Sequence, residues 1–412
     1  MKVSQIAEFL NGVLQETEGQ TVVANEDLSN VVTIGKTIFD VMSVDNYVKK
    51  LVNHIGRIKF VDRKYNRVAP NVMKDGWTYG SILEKIDADL PDMVENESWK
   101  LQHGETYNQD TFYAPKNVRA KFFNDRTTFE VDISYTDRQV RESFSSAQQL
   151  NGFISMIETK IDNRFAVAYD DLTMRLINNF NIATMYNAFS SLLNDTTHQF
   201  EFTSSLYTGK RAINLLAKYK AKYPTDAHIS ALTPETAIDD KEFLRFAAKQ
   251  ILMYSDRLER NSRLFNIEGR ERFTPKDRQH LVLLSEFEQS ARVYLYSDTF
   301  HENYTKLPTA ETVLYWQGTG LDYEFEDTSK IHITSNQLFD DQGEIVPSAG
   351  VEVIVPYIIG CCFDDEALGI NNEENRIPAH RNEKAEFTNF FYKSDAQFFN
   401  DYAENFIVFF MA

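Results

Sequence analysis

The most constraining feature of this sequence is the apolar run near its end. Residues 387–412 close on consecutive large apolar side chains, namely Phe406, Ile407, Val408, Phe409, Phe410 and Met411. Chain termini are usually polar and loosely held, so an apolar terminus has to be covered by a sheet or by a partner. A second β-rich apolar segment lies upstream at residues 351–363, VEVIVPYIIGCCF. The two segments therefore predict neighbouring strands of one core, with the end of the sequence at the centre of the fold.

Length, composition and charge indicate a globular protein. The chain has 412 residues, of which 42% are hydrophobic, so it can form sizeable cores in two or three domains. It has no uncharged apolar run of about 18 residues, and residues 1–14 lack the layout of a signal peptide. We expect no membrane partner and initial residence in the cytosol. The net charge of −18 opposes sequence-specific binding of nucleic acid.

The two cysteines, Cys361 and Cys362, are adjacent and lie in the apolar segment 351–363. Neighbouring cysteines cannot readily form a disulfide with each other without strain. They are predicted to be small core residues, in preference to a redox or metal-binding role.

Residues 56–128 form a long excursion that has no dense apolar face of its own. β-type segments at its two ends flank a polar middle that holds Trp77, Tyr79, Trp99 and Tyr107. A two-stranded excursion is marginal in water, so we expect it to lie on another copy of the protein. The four aromatic residues are the predicted contacts between subunits, because aromatic side chains often anchor interfaces.

The rest of the chain mixes helical and strand patterns without regular βαβ alternation. Residues 129–137 alternate as a strand, and residues 145–181 repeat apolar side chains at helical spacing over about ten turns, roughly 50 Å. A plain core or coiled-coil helix is at least as good an interpretation as a role in an active site. Further helices are predicted at 208–223 and 241–257, and strands at 280–285 and 330–334.

No motif in the sequence predicts an enzyme. Phosphate-binding glycine loops, HExxH spacing and a GxSxG elbow are all absent from the sequence. The acidic residues at 364–366 and 373–374 resemble a calcium loop, but Leu368 and Asn375 stand where that loop needs oxygen ligands, so a solvated acidic loop is favoured. The histidines, including His54, His198, His280 and His332, are interpreted as surface or hydrogen-bonded structural residues. We therefore predict no catalytic, cofactor-binding or metal-binding residues and no cofactor.

Four segments, in chain order, resemble the major capsid proteins of small short-tailed double-stranded DNA phages, particularly the protein-primed podophage group. Residues 24–60 are similar to the family's approach to an extended loop, and residues 129–137 to its junction between that loop and a long helix. Residues 280–303, HLVLLSEFEQSARVYLYSDTFHEN, resemble a strand, turn and helix of its apical domain. Residues 386–410 resemble its closing aromatic strands.

The resemblance implies an α+β fold of the tailed-phage major capsid (Hong Kong 97) type. The domains that it implies are an N-terminal arm at 1–55, an extended loop (E-loop) at 56–130, a peripheral domain with a long spine helix at 131–200, an apical domain at 201–344, and return strands of the peripheral and apical core at 345–412. An appended immunoglobulin-like domain, which some members carry, is not expected.

The function implied is structural: self-assembly of pentamers and hexamers into an icosahedral or prolate head around double-stranded DNA. The implied partners are other copies of the chain, portal, scaffold and head accessory proteins, and DNA enclosed without sequence-specific binding. The implied location is the virion, after assembly in the host cytoplasm. Two alternatives stay open from the sequence: an encapsulin-like nanocompartment shell, and a soluble metal-dependent hydrolase.

Overall fold

The computed structural model describes most of the chain and divides it into two compact units. The described ranges are residues 63–74, 82–91, 93, 118–136, 147–194, 196–202, 209–296, 310–316, 329–335, 338–340, 343, 345–346 and 351–412. The described parts of the first unit are residues 63–64, 133–136, 147–162 and 379–389. The second unit comprises the other described residues and contains the main hydrophobic core. The predicted arm at 1–55 lies outside the described residues.

The described residues form a mixed α+β fold. The helices are α1 Ala147–Phe189, α2 Leu215–Lys222, α3 Ala227–Ala231, α4 Pro234–Ala237, α5 Lys241–Leu258 and α6 Ser285–Tyr296. The strands are β1 Leu83–Asp87, β2 Arg119–Phe123, β3 Asp125–Thr136, β4 Ala212–Asn214, β5 Gln279–Leu284, β6 Glu311–Val313, β7 Ile331–Ser335, β8 Leu338–Phe339, β9 Ile345–Val346, β10 Val351–Val355, β11 Ile358–Asp364, β12 Leu368–Arg376, β13 Ala379–Asn382, β14 Phe387–Asn400 and β15 Phe406–Phe410. None of the helices within the described ranges is long and apolar enough to cross a membrane.

The central sheet of the second unit has the strand order β4-β15-β11-β5-β6. The apolar strand β15 is antiparallel to β11 on one side and parallel to β4 on the other. Every residue of β15 is buried: Phe180 of α1 stacks on Phe406, and Tyr254 of α5 packs against Phe409. The prediction that the two apolar segments supply neighbouring core strands is therefore confirmed.

Segment 351–363 forms two strands, whereas its sequence suggested one. β10 pairs with β7 in a two-stranded sheet, and β11 enters the central sheet. Pro356 lies between them, and Tyr357 has a positive φ of 55°. Proline cannot donate to a sheet ladder, so the chain leaves one sheet at this position and enters another.

The remaining sheets are the β1–β2 pair, the β8–β9 pair, and a four-stranded sheet in which β14 lies between β12 and β13 and also pairs with β3.

Strand β11 carries both cysteines in the core, as the sequence predicted. Burial raises the pKa of Cys362 to about 12 and the pKa of Cys361 well above its ordinary value. Both thiols therefore stay protonated, which makes them poor nucleophiles and poor metal ligands. Gly360 lets β11 approach β5 closely, because an added Cβ would collide with the Val282 carbonyl oxygen.

Helix α1 is longer than its sequence pattern predicted. It has 43 residues, which corresponds to roughly 65 Å. Around residues 176–185 nearly every side chain is buried, including Asn178 and Asn181. Phe180 stacks on Phe406 of β15 with ring centroids 4.1 Å apart, so the helix packs directly on the central sheet. The helix is enclosed on all sides there, which explains why its sequence shows no clean polar face.

The predicted helix at 208–223 begins later than expected. Residues 212–214 form the edge strand β4, and α2 starts at Leu215. Asn214 is the N-cap, since its Oδ1 accepts from the Ala217 N–H at 3.0 Å. Asp240 caps α5 in the same way, accepting from the Phe243 N–H at 2.7 Å. The β-rich character of Ala212-Ile213 is too short to detect as a strand in sequence.

Because β15 is interior, truncating one of its side chains should strongly destabilise the protein. We expect Phe409→Ala to lower the free energy of unfolding by about 3–5 kcal/mol, the usual cost of a buried phenylalanine. Phe273→Ala, at an exposed phenylalanine of the same unit, should change it by less than about 0.5 kcal/mol. Chemical denaturation of the subunit measures both. Equal effects of the two substitutions would show that β15 is peripheral.

Candidate assembly surface

Strands β1 and β2 form an antiparallel two-stranded ribbon within the long excursion predicted from the sequence. Leu83 pairs with Phe123, and Asp87 pairs with Arg119, so the two strands are in register along their whole length. We call these strands together with Ile82 and Val118 the ribbon. Side chains alternate between a half-buried face and an exposed face, as the pleat of a β-ribbon requires.

Ion pairs hold the half-buried face of the ribbon against the rest of the subunit. Lys85 and Lys121, which are paired across the two strands, both reach the carboxylate of Asp401. The distances are 3.1 Å from Lys85 Nζ to Oδ2 and 2.9 Å from Lys121 Nζ to Oδ1. The Asp401 side chain is only 4% exposed. Burial alone would raise the pKa of Asp401, but the two ammonium groups hold it below its ordinary value.

A second ion-pair chain anchors the end of β1. Asp87 pairs with Arg272, whose Nε also lies 3.2 Å from the Glu404 carboxylate. Burial lowers the pKa of the Arg272 guanidinium, yet Asp87 and Glu404 together raise it above the ordinary value, so it stays charged. Burial raises the pKa of Glu404, and Arg272 only partly offsets that effect.

One aromatic contact complements these ion pairs. The ring of Phe123 lies 5.3 Å from that of Phe399 on β14, and Lys85 Nζ lies 5.1 Å above the same Phe399 ring. The ribbon therefore packs on its own subunit through a mixture of charge and one aromatic cluster. The expectation that the excursion lies on another copy is wrong for this face, because Asp401, Arg272 and Phe399 of the same chain cover it.

The other face of the ribbon is apolar and exposed. Ile86 is 69% exposed and Phe122 is 66% exposed, and Ile82 and Val118 extend the same face. Glu84 is the charged residue among them. A soluble surface ribbon usually has the opposite arrangement, with apolar side chains inward and charges outward. An exposed apolar patch of this kind marks an interaction surface.

The four aromatic residues predicted as contacts, Trp77, Tyr79, Trp99 and Tyr107, lie outside the described residues. The exposed apolar residues that the structure shows are instead Ile82, Ile86, Val118 and Phe122, which the sequence analysis did not single out. Their alternation with Lys85 and Lys121 is visible in the sequence, but alternation alone does not tell which face is inward. The buried partner that decides it, Asp401, is more than 270 residues away in the sequence.

The acidic residues near 364–374 are not a solvated loop. Asp364 is buried and accepts from Thr274 Oγ1 at 2.6 Å, and Asp365 pairs with Lys74 at 2.5 Å. Glu373 and Glu374 lie in β12. Side-chain clusters suited to a metal ion are absent from the ranges that the structure describes. Asp365 and Glu366 are paired with cations on other elements, and a local sequence pattern cannot reveal such partners.

The interpretation of the histidines as surface or hydrogen-bonded structural residues is confirmed for His280 and His332, which are hydrogen-bonded, and for His198, whose side chain is 38% exposed. His332 bonds Glu352 across the β7–β10 pair, and His198 Nε2 lies 3.5 Å from the same carboxylate. His280 contacts two carboxylates. His54 lies outside the described residues.

Comparison with known proteins assigns the chain to a family. The model of the Phi29-like phage major capsid protein family matches residues 6–410. The chain belongs to that family. As a major capsid protein it assembles into the multimeric shell of a virion, and its family is structural.

Solved structures show the fold of this capsid protein. A chain in the capsid structure of Staphylococcus phage Andhra is 10% identical, with a TM-score of 0.52 over 86% of this chain and 87% of that one. A chain in the structure of the head fiber and inner core protein gp22 of bacteriophage P68 is also 10% identical, with a TM-score of 0.50 and the same coverage. None of the curated proteins matches the sequence. The tailed-phage capsid fold predicted from the resemblance is therefore confirmed.

Removing the charge of Asp401 should loosen the ribbon. We expect Asp401→Asn to lower the free energy of unfolding by about 3 kcal/mol at neutral pH, because two lysines lose a nearly buried counter-ion. The control Glu84→Gln, on the exposed face, should change it by less than about 0.5 kcal/mol. Denaturation of the subunit measures both.

The pH dependence of that difference provides a second test. Since the pKa of Asp401 is lowered in the folded state, its contribution is present above about pH 4 and is lost as pH falls through the lowered value. The stabilities of the parent protein and Asp401→Asn should therefore converge in acid. A gap that is constant with pH would contradict the ion-pair account.

Proposed function

We propose that the exposed apolar face of the ribbon joins one copy of the capsid protein to the next in the shell. The observation that carries this proposal is the reversed polarity of the ribbon, in which Lys85 and Lys121 point inward while Ile86 and Phe122 point outward. Leaving large apolar side chains in water is unfavourable, and burying them against another copy removes that cost.

The inner face gives the ribbon a defined orientation before assembly. Its ion pairs with Asp401 and Arg272 fix where Ile86 and Phe122 project, so little conformational entropy is lost when a neighbour binds. A contact made by the ribbon of one copy with a different surface of the next is heterologous, and such contacts close into rings and shells. This geometry suits a subunit that must be monomeric when made and polymeric in the virion.

We extend the proposal to Trp77, Tyr79, Trp99 and Tyr107. Trp77 and Tyr79 precede β1, and Trp99 and Tyr107 lie between β1 and β2 in the sequence, so all four belong to the same excursion. Tryptophan and tyrosine are frequent anchors of protein interfaces. Alanine substitution at Trp77 or Trp99 should weaken assembly in the same direction as substitution of Phe122.

The proposed assembly is an icosahedral or prolate head of pentamers and hexamers that encloses double-stranded DNA. In this proposal the chain consists of an N-terminal arm at 1–55, an E-loop at 56–130, a peripheral domain at 131–200, an apical domain at 201–344 and return strands at 345–412. The shell assembles in the host cytoplasm with scaffold, portal and accessory proteins, and it has no catalytic role. Membership of the phage capsid family supports this proposal over an enclosing nanocompartment or a hydrolase.

Substituting the ribbon's outer face should block assembly without unfolding the subunit. We expect Phe122→Asp to remain folded and to reduce the yield of shells at least tenfold, because an exposed carboxylate would become buried and unpaired at the contact. Phe122→Leu, the matched control, keeps an apolar side chain and should still assemble. Electron microscopy and sedimentation measure the yield. Shells of Phe122→Asp at the parent yield would refute the proposed contact.

The proposed enclosure of DNA requires weak contact with it. With a net charge of −18, the purified subunit should bind duplex DNA weakly and without sequence preference. Competition binding with duplexes of different sequence, at several salt concentrations, measures this. Tight binding that depends on sequence at physiological salt would show that the protein recognises DNA.

A further inference from the structure

His280 occupies a position where only its charged form satisfies its neighbours. It lies near the start of β5, which the central sheet places between β11 and β6, with Nδ1 3.0 Å from Glu311 Oε1 and Nε2 3.0 Å from Asp365 Oδ1. Ionised carboxylates only accept hydrogen bonds. Both ring nitrogens must therefore carry a proton, because a neutral imidazole donates from one nitrogen only.

The same two carboxylates hold a third part of the chain, residues 71–74, which we call the approach segment. Glu311 Oε2 accepts from the Asn71 N–H at 3.0 Å, and Asp365 pairs with Lys74. The segment also pairs with β12, where the Lys74 N–H donates to the Ile370 carbonyl at 2.9 Å. In the sequence the approach segment lies within the excursion at 56–128 and precedes the ribbon, which begins at Ile82.

Upstream of the approach segment the chain is fixed to the spine helix α1. Asp170 accepts from Tyr65 Oη, Arg67 Nε and the Val68 N–H at distances of 2.8 to 2.9 Å. These contacts do not involve a histidine. Residues 65–68 are therefore held independently of pH near neutrality. The protonation of His280 affects only the contacts of the approach segment.

We propose that His280 is a proton-dependent latch that holds the approach segment against the central sheet. When the imidazole is charged, it and Lys74 balance the negative charges of Glu311 and Asp365. When it loses its proton, one carboxylate loses its hydrogen-bond donor and the cluster gains a net negative charge, so the two carboxylates repel each other. The carboxylate that loses its imidazolium donor is then no longer held in the position from which it contacts Asn71 or Lys74.

The charged groups around the ring come from every element packed against it. Glu311 belongs to β6, Asp365 follows β11, Lys74 belongs to the approach segment, and Arg278 beside β5 pairs with Glu366. The face of the imidazole stacks on Phe363, with centroids 5.3 Å apart, which fixes the plane of the ring. The hydrogen bond to Glu311, assisted by that to Asp365, raises the pKa of His280 above its ordinary value although burial opposes this.

The direction of the pH effect follows from the raised pKa. A group whose folded pKa is raised contributes its full stabilisation below its unfolded value, about 6.5 for histidine. The contribution is lost as pH rises through the folded pKa. The latch is therefore closed in mildly acidic solution and opens as pH rises through the raised pKa of His280.

The test is an NMR titration of the histidine side chains in the full-length subunit, with His280 assigned by the signal that disappears in His280→Gln. The latch predicts a titration midpoint above 6.5 for His280. Glu311→Gln, at the half-exposed edge of the sheet, should shift that midpoint downward. A midpoint at or below 6.5 in the parent protein would overturn the proposal.

Hydrogen exchange in the same protein tests the consequence for the approach segment. Protection factors of the Asn71 and Lys74 amides, corrected for the intrinsic rate, should fall as pH rises through the His280 midpoint. His280→Gln should remove this pH dependence, whereas His228→Gln, a control at an exposed histidine paired with Asp240, should keep it. Unchanged pH dependence in His280→Gln would refute the latch. If that variant fails to fold, the same comparison with Glu311→Gln carries the test.

These measurements are made on the unassembled subunit. They therefore distinguish failure of the latch from failure of the proposed contact between copies. If only the latch is wrong, the titration and hydrogen exchange of the subunit fail while Phe122→Asp still blocks shell assembly. If only the ribbon contact is wrong, the reverse is seen.

Discussion

The structure depends on the burial of β15 inside the central sheet. This strand pairs with neighbours on both sides, and its Phe406 ring stacks between Phe180 of the spine helix and Phe363 of β11. His280 continues the same row of stacked rings one strand further. Four rings thus connect the helix to three strands of the sheet. Because the chain segments that supply them are far apart in sequence, the core forms only when the whole second unit has come together.

The ribbon has to keep an apolar surface exposed without letting it enter the core. A subunit that polymerises needs an adhesive surface, but such a surface also promotes misfolding if it competes for the core. Here the inward face is committed to Asp401 and Arg272 by charge, so the apolar residues Ile86 and Phe122 remain outward. A register slip of one residue would place Lys85 and Lys121 outward and would leave Asp401 buried without a counter-ion. The ion pairs therefore specify which face is presented.

Much of the core was predictable from sequence because it depends on apolar segments with a clear period. The pairing of β15 with β11, the cysteines in the core, α5 and the spine helix all follow from local patterns. The resemblance supplied the fold, which no local pattern establishes. The strand β4 was missed because its three residues are too few to show a period. The break at Pro356 and the extra length of α1 were missed because they depend on which neighbours cover those segments.

The surface was less predictable, for a physical reason. Asp364 and Asp365 look like a solvated run in sequence, and only the fold brings Thr274, Lys74 and His280 to them. In the same way, the sequence suggests that Lys85 is exposed to solvent, whereas in the structure it pairs with Asp401. The contacts of these polar residues depend on partners distant in sequence, whereas the burial of apolar residues can be predicted from their spacing. The aromatic residues favoured by sequence, Trp77, Tyr79, Trp99 and Tyr107, stay a prediction.

The central claim is that the outer face of the ribbon, exposed in the single subunit, is buried between copies in the shell. The most direct measurement is a cryo-electron microscopy reconstruction of the assembled shell at a resolution that shows side chains. The account predicts that Ile86 and Phe122 lie within van der Waals contact of a neighbouring copy while Lys85 and Lys121 keep their contacts with Asp401. A shell in which Ile86 and Phe122 still face solvent would contradict it.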